Sequence, residues 1–337
     1  MNGKKTQNLK LCLAAFAALL ATEVIADPLL SIDITLADGE DFPAAVKVVK
    51  AAGANATSLS LFWDDQETEP SVFAPKDNWP TIANLYFPST GLAYTLTFSV
   101  IDTVADRRPP DLRGLAWDDP LVISRFIAHV DAVLGKMPRV QFKSIAIGNE
   151  VDVFLTSPDD VAAYARFLTA VHEHLATTRP GVPVAAKITF AGITGDPARL
   201  TPILQAGDAA FFTYYPLNPD FTLRAPTDAT HDLDVMLDLA GGKPLWLLET
   251  GYPSNGCNVP EGGQEIFFNT LLAAVSRHKD AIALVSATYL TDLPETVVTG
   301  FSDYYGIGGD CFARYLGSLG LRQFDGTAKP ALAALIH

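Results

Sequence analysis

Ser144-Ile-Ala-Ile-Gly-Asn-Glu150-Val-Asp152 is a short apolar run that ends in an amide and a carboxylate and then opens onto polar sequence. Pro244-Leu-Trp-Leu-Leu-Glu249-Thr-Gly-Tyr-Pro253 repeats the plan, with an apolar run closed by a glutamate and followed by turn residues. Alternation within the first run puts Ser144, Ala146 and Gly148 on one face with Glu150, and Ile145 and Ile147 on the other. A small-residue face fits the inside of a closed sheet, and a β-branched face fits packing beneath helices. In the second run, alternation gives Leu245 and Leu247 the face of Glu249 and turns Trp246 outward, against a helix. A strand that delivers a carboxylate at its C-terminal end is how a barrel enzyme presents an acid to its substrate.

The same kind of run recurs along the chain. Leu30–Leu36, Thr57–Trp63, Tyr94–Ile101, Lys143–Gly148, Val184–Thr189, Ala210–Tyr215, Leu245–Glu249 and Ile282–Tyr289 read as eight strands. Helix signals lie between them. Asp41 with Pro43, Asp118 with Pro120, Ser157-Pro158 and Asp196-Pro197 are N-terminal punctuation, Thr230 opens His231–Leu239, and Glu261–Arg277 is a further helix. The segment before Tyr94 carries the weakest helix signals. Eight strand–helix units predict an α/β, single-domain (β/α)8 TIM barrel, with Glu150 and Glu249 on its fourth and seventh strands. The long connections follow the third, sixth and eighth strands, on the side that builds a barrel's active-site face.

The chain has 337 residues, 49% of them hydrophobic and 18% charged, with a formal net charge of −14. That composition is globular, and the acidity argues against nucleic acid as a partner, because phosphate binding needs clustered cations. Lys4, Lys5 and Lys10, the apolar Leu11–Leu20 and a cut before Asp27 read as a secretory signal peptide over residues 1–26, leaving 27–337 as the barrel. The expected location is therefore secreted or periplasmic, with no stable membrane insertion after cleavage. Cys12 leaves with the peptide, so Cys257 and Cys311 remain. An even count in an exported chain favours one disulfide over two buried thiols, closing a loop of about 54 residues.

Other chemistries lack their residues. His172 and His174 are two apart on a helix and face different ways, so they do not form a zinc pair. The phosphate loop, the Gly-x-Gly-x-x-Gly turn and the Gly-x-Ser-x-Gly elbow are absent. No metal or cofactor is expected. The pattern gives no oligomeric state.

Asn-Glu at the end of strand four and Glu at the end of strand seven resemble the clan of retaining β-glycosidases. Glu249-Thr-Gly-Tyr-Pro-Ser-Asn-Gly256 is similar to the nucleophile motif of endo-β-1,3-glucanases, and Gly148-Asn149-Glu150-Val151 to their acid/base motif. Phe212-Thr-Tyr-Tyr-Pro216 resembles the sixth-strand segment of glucanases and endo-β-1,4-galactanases. The run from Gly320 to Ala331 is similar to the clan's entry to its last helix. The resemblance implies a hydrolase of a β-linked glucan, galactan or related oligosaccharide. Glu249 would be the nucleophile and Glu150 the acid/base, with Asn149 on a sugar hydroxyl and Tyr215 on the nucleophile. Tyr289, Trp63, Trp117 and Tyr252 are candidate stacking platforms, or else ordinary packing. Tyr252 replaces the glucanase Trp, Leu248 stands where a small residue is usual, and the second strand lacks the Arg that many members place near the nucleophile. A non-catalytic carbohydrate-binding TIM barrel is the alternative.

Overall fold

A computed structural model describes residues 27–336. The signal-peptide reading of residues 1–26 lies outside them. Eight strand positions close on themselves: β1 Leu29–Ile32, β2 Ala56–Phe62, β3 Ala93–Asp102, β4 Phe142–Asn149, β5 in two pieces (Val184–Ala185 and Lys187–Thr189), β6 Ala210–Tyr214, β7 Leu245–Thr250 and β8 Ile282–Ala287. All pair in parallel. The break at Ala186 closes the barrel: Val184–Ala185 pairs with β4, and Lys187–Thr189 pairs with β6. The (β/α)8 expectation holds strand for strand.

The helices outside the barrel are α1 Phe42–Ala51, α2 Trp79–Thr90, α3 Pro120–Gly135, α4 Pro158–Thr178, α5 Pro197–Ala206, α6 Ala229–Ala240 and α7 Gly263–Arg277. Three more follow β8: α8 Glu295–Tyr305, α9 Asp310–Gly317 and α10 Pro330–Ala334. Several start as their punctuation dictates. Asp41, Ser157 and Asp196 each accept a backbone N–H of the first turn just before an early proline. Asp119 rather than Asp118 caps α3, and α6 starts after Asp228 rather than at Thr230. The weak signals before Tyr94 belong to α2, where Pro88 removes a helical donor and Asn78 is the cap. The stretch 290–309, read as a long connection, contains α8.

Two cores follow from the pleat. Outward residues such as Ile145, Ile147, Phe212 and Tyr214 pack under the helices. Inward residues Ala56, Ala146, Ala185, Phe211, Trp246, Leu248 and Leu284 form a separate apolar plug inside the barrel. The seventh strand therefore corrects the alternation reading. Trp246 faces inward, its ring edge-on to Phe211 at 5.9 Å, while Leu245 and Leu247 belong to the outer core. The register explains how Glu249 still reaches the mouth. Phe212 pairs with Leu247 but Thr213 with Glu249, so a bulge at Leu248 advances the strand by one residue. Among the described residues no helix is long and apolar enough to cross a membrane, and no group of three or more His, Cys, Asp or Glu is placed to hold a metal.

Candidate active site

Local backbone geometry at the end of β4 sets the first carboxylate. β3 outruns β4 near its end: Phe98 pairs with Ile147, and the next pair is Asp102 with Asn149. That shift brings Thr103 beside Glu150. Gly148 has φ +82°, and a Cβ there would collide with Val151 and Tyr164. Glu150 itself sits in the left-handed region at φ 47°, as do Thr103 at 48° and Tyr289 at 66°. Non-glycine residues adopt that conformation at a cost and only where surrounding structure holds them. Three of them end strands around one mouth.

The Glu150 carboxylate takes two hydroxyl donors, Thr213 Oγ1 at 2.8 Å to Oε1 and Thr103 Oγ1 at 2.9 Å to Oε2. Burial, and then the charge of Glu249, push its pKa up to about 7, against the lowering pull of the Thr213 and Thr103 bonds. Thr213 is also the register partner of Glu249, so Glu150 reaches across to the strand neighbouring the second carboxylate. Glu249 is seated on other donors. Lys187 Nζ lies 2.8 Å from Oε1, and the Tyr215 hydroxyl donates to Oε2 at 3.0 Å. Tyr215 is anchored in turn beside Thr288 Oγ1 at 2.9 Å.

Asn149 Nδ2 donates to Asp102 Oδ1 at 3.1 Å, and the Tyr304 hydroxyl donates to Asp102 Oδ2 at 2.8 Å. Asn149 Oδ1 is buried with no protein partner. Tyr289 stands after β8. Burial, then Glu249, Asp33 and Glu150, push its phenol up. The structure thus gathers Glu150, Glu249, Asn149, Tyr215 and Tyr289 around one barrel mouth.

Three expected platforms are elsewhere. Trp63 is fully buried: the chain turns into a short helix, Trp63–Gln66, and the indole N–H donates to Glu67 at 2.6 Å beneath Phe126. Tyr252 is fully buried too, stacked on Phe267 of α7 with its hydroxyl on the Arg224 carbonyl. Neither has a face for a sugar. Trp117 is likewise buried, under the Arg108 guanidinium. Asp64 is taken by Arg107 and Arg113, and Asp152 by Thr189.

Other site groups carry no motif. Asp33, just past β1, is pushed up to about 6, first by burial, with Ser58 pulling down and Glu249 adding to the rise. Lys187 lies in an unremarkable Ala-Ala-Lys-Ile-Thr run. Tyr305 of α8 and Tyr315 of α9 face this electrostatic field, and burial followed by the Glu150 charge pushes both phenols up. Tyr315 meets Tyr215 edge-on at 5.9 Å. A disulfide joins Cys257, in the loop after β7, to Cys311 of α9, with Cα atoms 5.2 Å apart. It ties the helix carrying Tyr315 to the loop that follows Glu249.

No family model matches the sequence, and no curated protein does. Solved structures do match in shape. A GH5_18 protein from Bifidobacterium longum subsp. longum aligns at TM-score 0.71 and 15% identity, over 92% of this chain and 78% of that one. A GH5_18 variant from Streptomyces cattleya, in complex with Manb1-4GlcNAc, aligns at TM-score 0.71 and 18% identity, over 92% and 79%. An exo-beta-1,4-mannosidase from Opitutaceae bacterium strain TAV5 aligns at TM-score 0.70 and 15% identity, over 92% and 58%. At these identities the likeness is one of fold, a TIM barrel shared over nearly all of the described chain.

Proposed function

We propose that the protein is a retaining β-glycoside hydrolase working by double displacement. Glu249 attacks the anomeric carbon while Glu150 protonates the leaving oxygen, and Glu150 then deprotonates the water that releases the sugar. One observation carries the reading: two strand-end glutamates share a mouth yet have different donors, hydroxyls for Glu150 and an ammonium with a phenol for Glu249. A carboxyl raised to about 7 is a proton donor at neutral pH, which suits the acid. Asn149 and Asp102 are the polar groups for sugar hydroxyls, and Tyr289 and Tyr305 the aromatic ones.

The sequence motifs suggest a β-linked glucan or galactan. The Manb1-4GlcNAc in one structural neighbour and the name of another add β-mannosides to that class. Export to the periplasm or beyond is part of the same proposal, and the disulfide is consistent with it. The test is a panel of β-glucans, β-galactans, β-mannosides and aryl β-glycosides, with the anomer of the first product read by NMR. Release with retention is expected. Inversion would overturn the mechanism. Sugar binding by calorimetry with no turnover on the panel would select the non-catalytic barrel instead.

A further inference from the structure

The second strand carries no arginine for the nucleophile, and among the described residues no arginine touches either glutamate. The cation comes from elsewhere. Lys187 enters from β5, immediately after the break at Ala186 that closes the barrel. Its register partner on β6 is Phe211, part of the apolar plug. Its side chain is only 6% exposed, and its one protein hydrogen-bond partner is Glu249 Oε1 at 2.8 Å. A buried ammonium without a counter-charge loses its proton. Here burial pulls the Lys187 pKa down, but Glu249 above all, then Asp33 and Glu150, outweigh it, and the net direction is up. The groups around Glu249 are Asp33 after β1, Glu150 after β4, Lys187 on β5, Tyr215 after β6 and Tyr289 after β8. Lys187 is the cation in that ring.

We propose that Lys187 is the positioning residue of the nucleophile, holding Glu249 in place through Oε1, in the role left vacant on the second strand. The inference rests on the reading of Glu249 as nucleophile. During glycosylation a bond forms between a Glu249 oxygen and the anomeric carbon. The glycosidic C–O bond breaks, and the leaving oxygen takes the Glu150 proton. One negative charge therefore disappears from Glu249 and one appears on Glu150, so the site's total is unchanged. Lys187 remains next to compensating charge throughout, because Asp33 and Glu150 both act on it.

The experiment compares Lys187→Met, Lys187→Arg and Glu249→Gln on the panel substrate that the native enzyme turns over, with thermal melts. Lys187→Met should lose about 100-fold in kcat with KM within about threefold. A loss in kcat without a matching rise in KM is the mark of a misplaced nucleophile rather than of weakened substrate binding. Lys187→Arg, which keeps the charge, should recover at least about tenfold of the kcat lost in Lys187→Met. A folded Lys187→Met enzyme with native kcat overturns the role, provided Glu249→Gln is inactive. An active Glu249→Gln enzyme instead overturns the reading of Glu249 itself. If Lys187→Met fails to fold, Lys187→Arg decides: a folded Lys187→Arg enzyme with native kcat and KM supports the role of the charge, and one as inactive as Glu249→Gln overturns the proposal.

Discussion

Glu150 and Glu249 are the same side chain at the ends of two strands of one barrel, and their seats differ. The Glu150 seat is built of neutral hydroxyls, Thr103 and Thr213, on a backbone held at positive φ. The Glu249 seat is built of a buried ammonium and a phenol, on a regular strand displaced by a bulge. Neutral donors leave a buried carboxyl free to keep its proton, whereas a charged donor rewards the ionised form. The two proposed roles rest on this contrast, and each half of it can be broken separately.

The largest effect is expected at the charged seat. Glu249→Gln should lower kcat at least about 10⁴-fold on any substrate, because the amide cannot form the glycosyl ester. Glu150→Gln should cost about 10²–10⁴-fold on substrates with poor leaving groups and much less on activated aryl glycosides, which leave without a proton. That split between substrates, measured side by side, separates the acid from the nucleophile. A uniform loss in both variants would erase the distinction drawn from their seats.

Stability should report the same asymmetry with the opposite sign. The folded Glu150 pKa, about 7, lies above the usual glutamate value, so the unionised form is favoured in the folded state. The associated stability is complete at low pH and is lost as pH rises through about 7. Glu150→Gln does not titrate. It should therefore melt at the native temperature near pH 4 and on the order of a few °C higher at pH 8. An identical difference at both pH values would mean that burial does not hold the Glu150 proton. At the other seat, Tyr215→Phe removes a donor to Glu249 Oε2 and should cost about 10–100-fold in kcat, the worth of a hydrogen bond to a charged group.

Which parts of this were legible in the sequence follows from what alternation can carry. The eight strands are readable because each apolar run is bounded by turn or cap residues, and the small-residue face of Ser144, Ala146 and Gly148 marks which side of the fourth strand looks into the barrel. The inward side of Trp246 is not readable, because Leu245, Leu247 and Leu248 are equally apolar and nothing in them marks a bulge. The aromatic platforms failed for a related reason. A tryptophan at a strand end does not say whether the chain next turns outward, and Trp63 turns to satisfy its N–H on buried Glu67. Lys187 and Asp33 carry no motif at all: a lysine or aspartate at a strand position normally reads as a solvated side, and only closure of the barrel turns these two toward Glu249. Thr103 and Thr213 became visible only through the β3–β4 register shift and the reach of Glu150 across the mouth.

The smallest effect tests the neutral seat directly. Thr213→Val keeps the β-branched shape on β6 and removes the hydroxyl that donates to Glu150 Oε1. Because that bond lowers the Glu150 pKa, its loss should raise it further, and the basic limb of kcat/KM, where the acid loses its proton, should move to higher pH. The shift should be about half a pH unit to one unit, as expected for one hydrogen bond of about 1 kcal/mol. Thr103→Val should move the same limb in the same direction, since Thr103 holds the other oxygen. Neither change touches Lys187 or Tyr215, so the acid limb should stay in place in both. A basic limb that moves down, or an acid limb that moves with it, would show that the two seats titrate as one unit rather than as an acid and a nucleophile set apart by their donors.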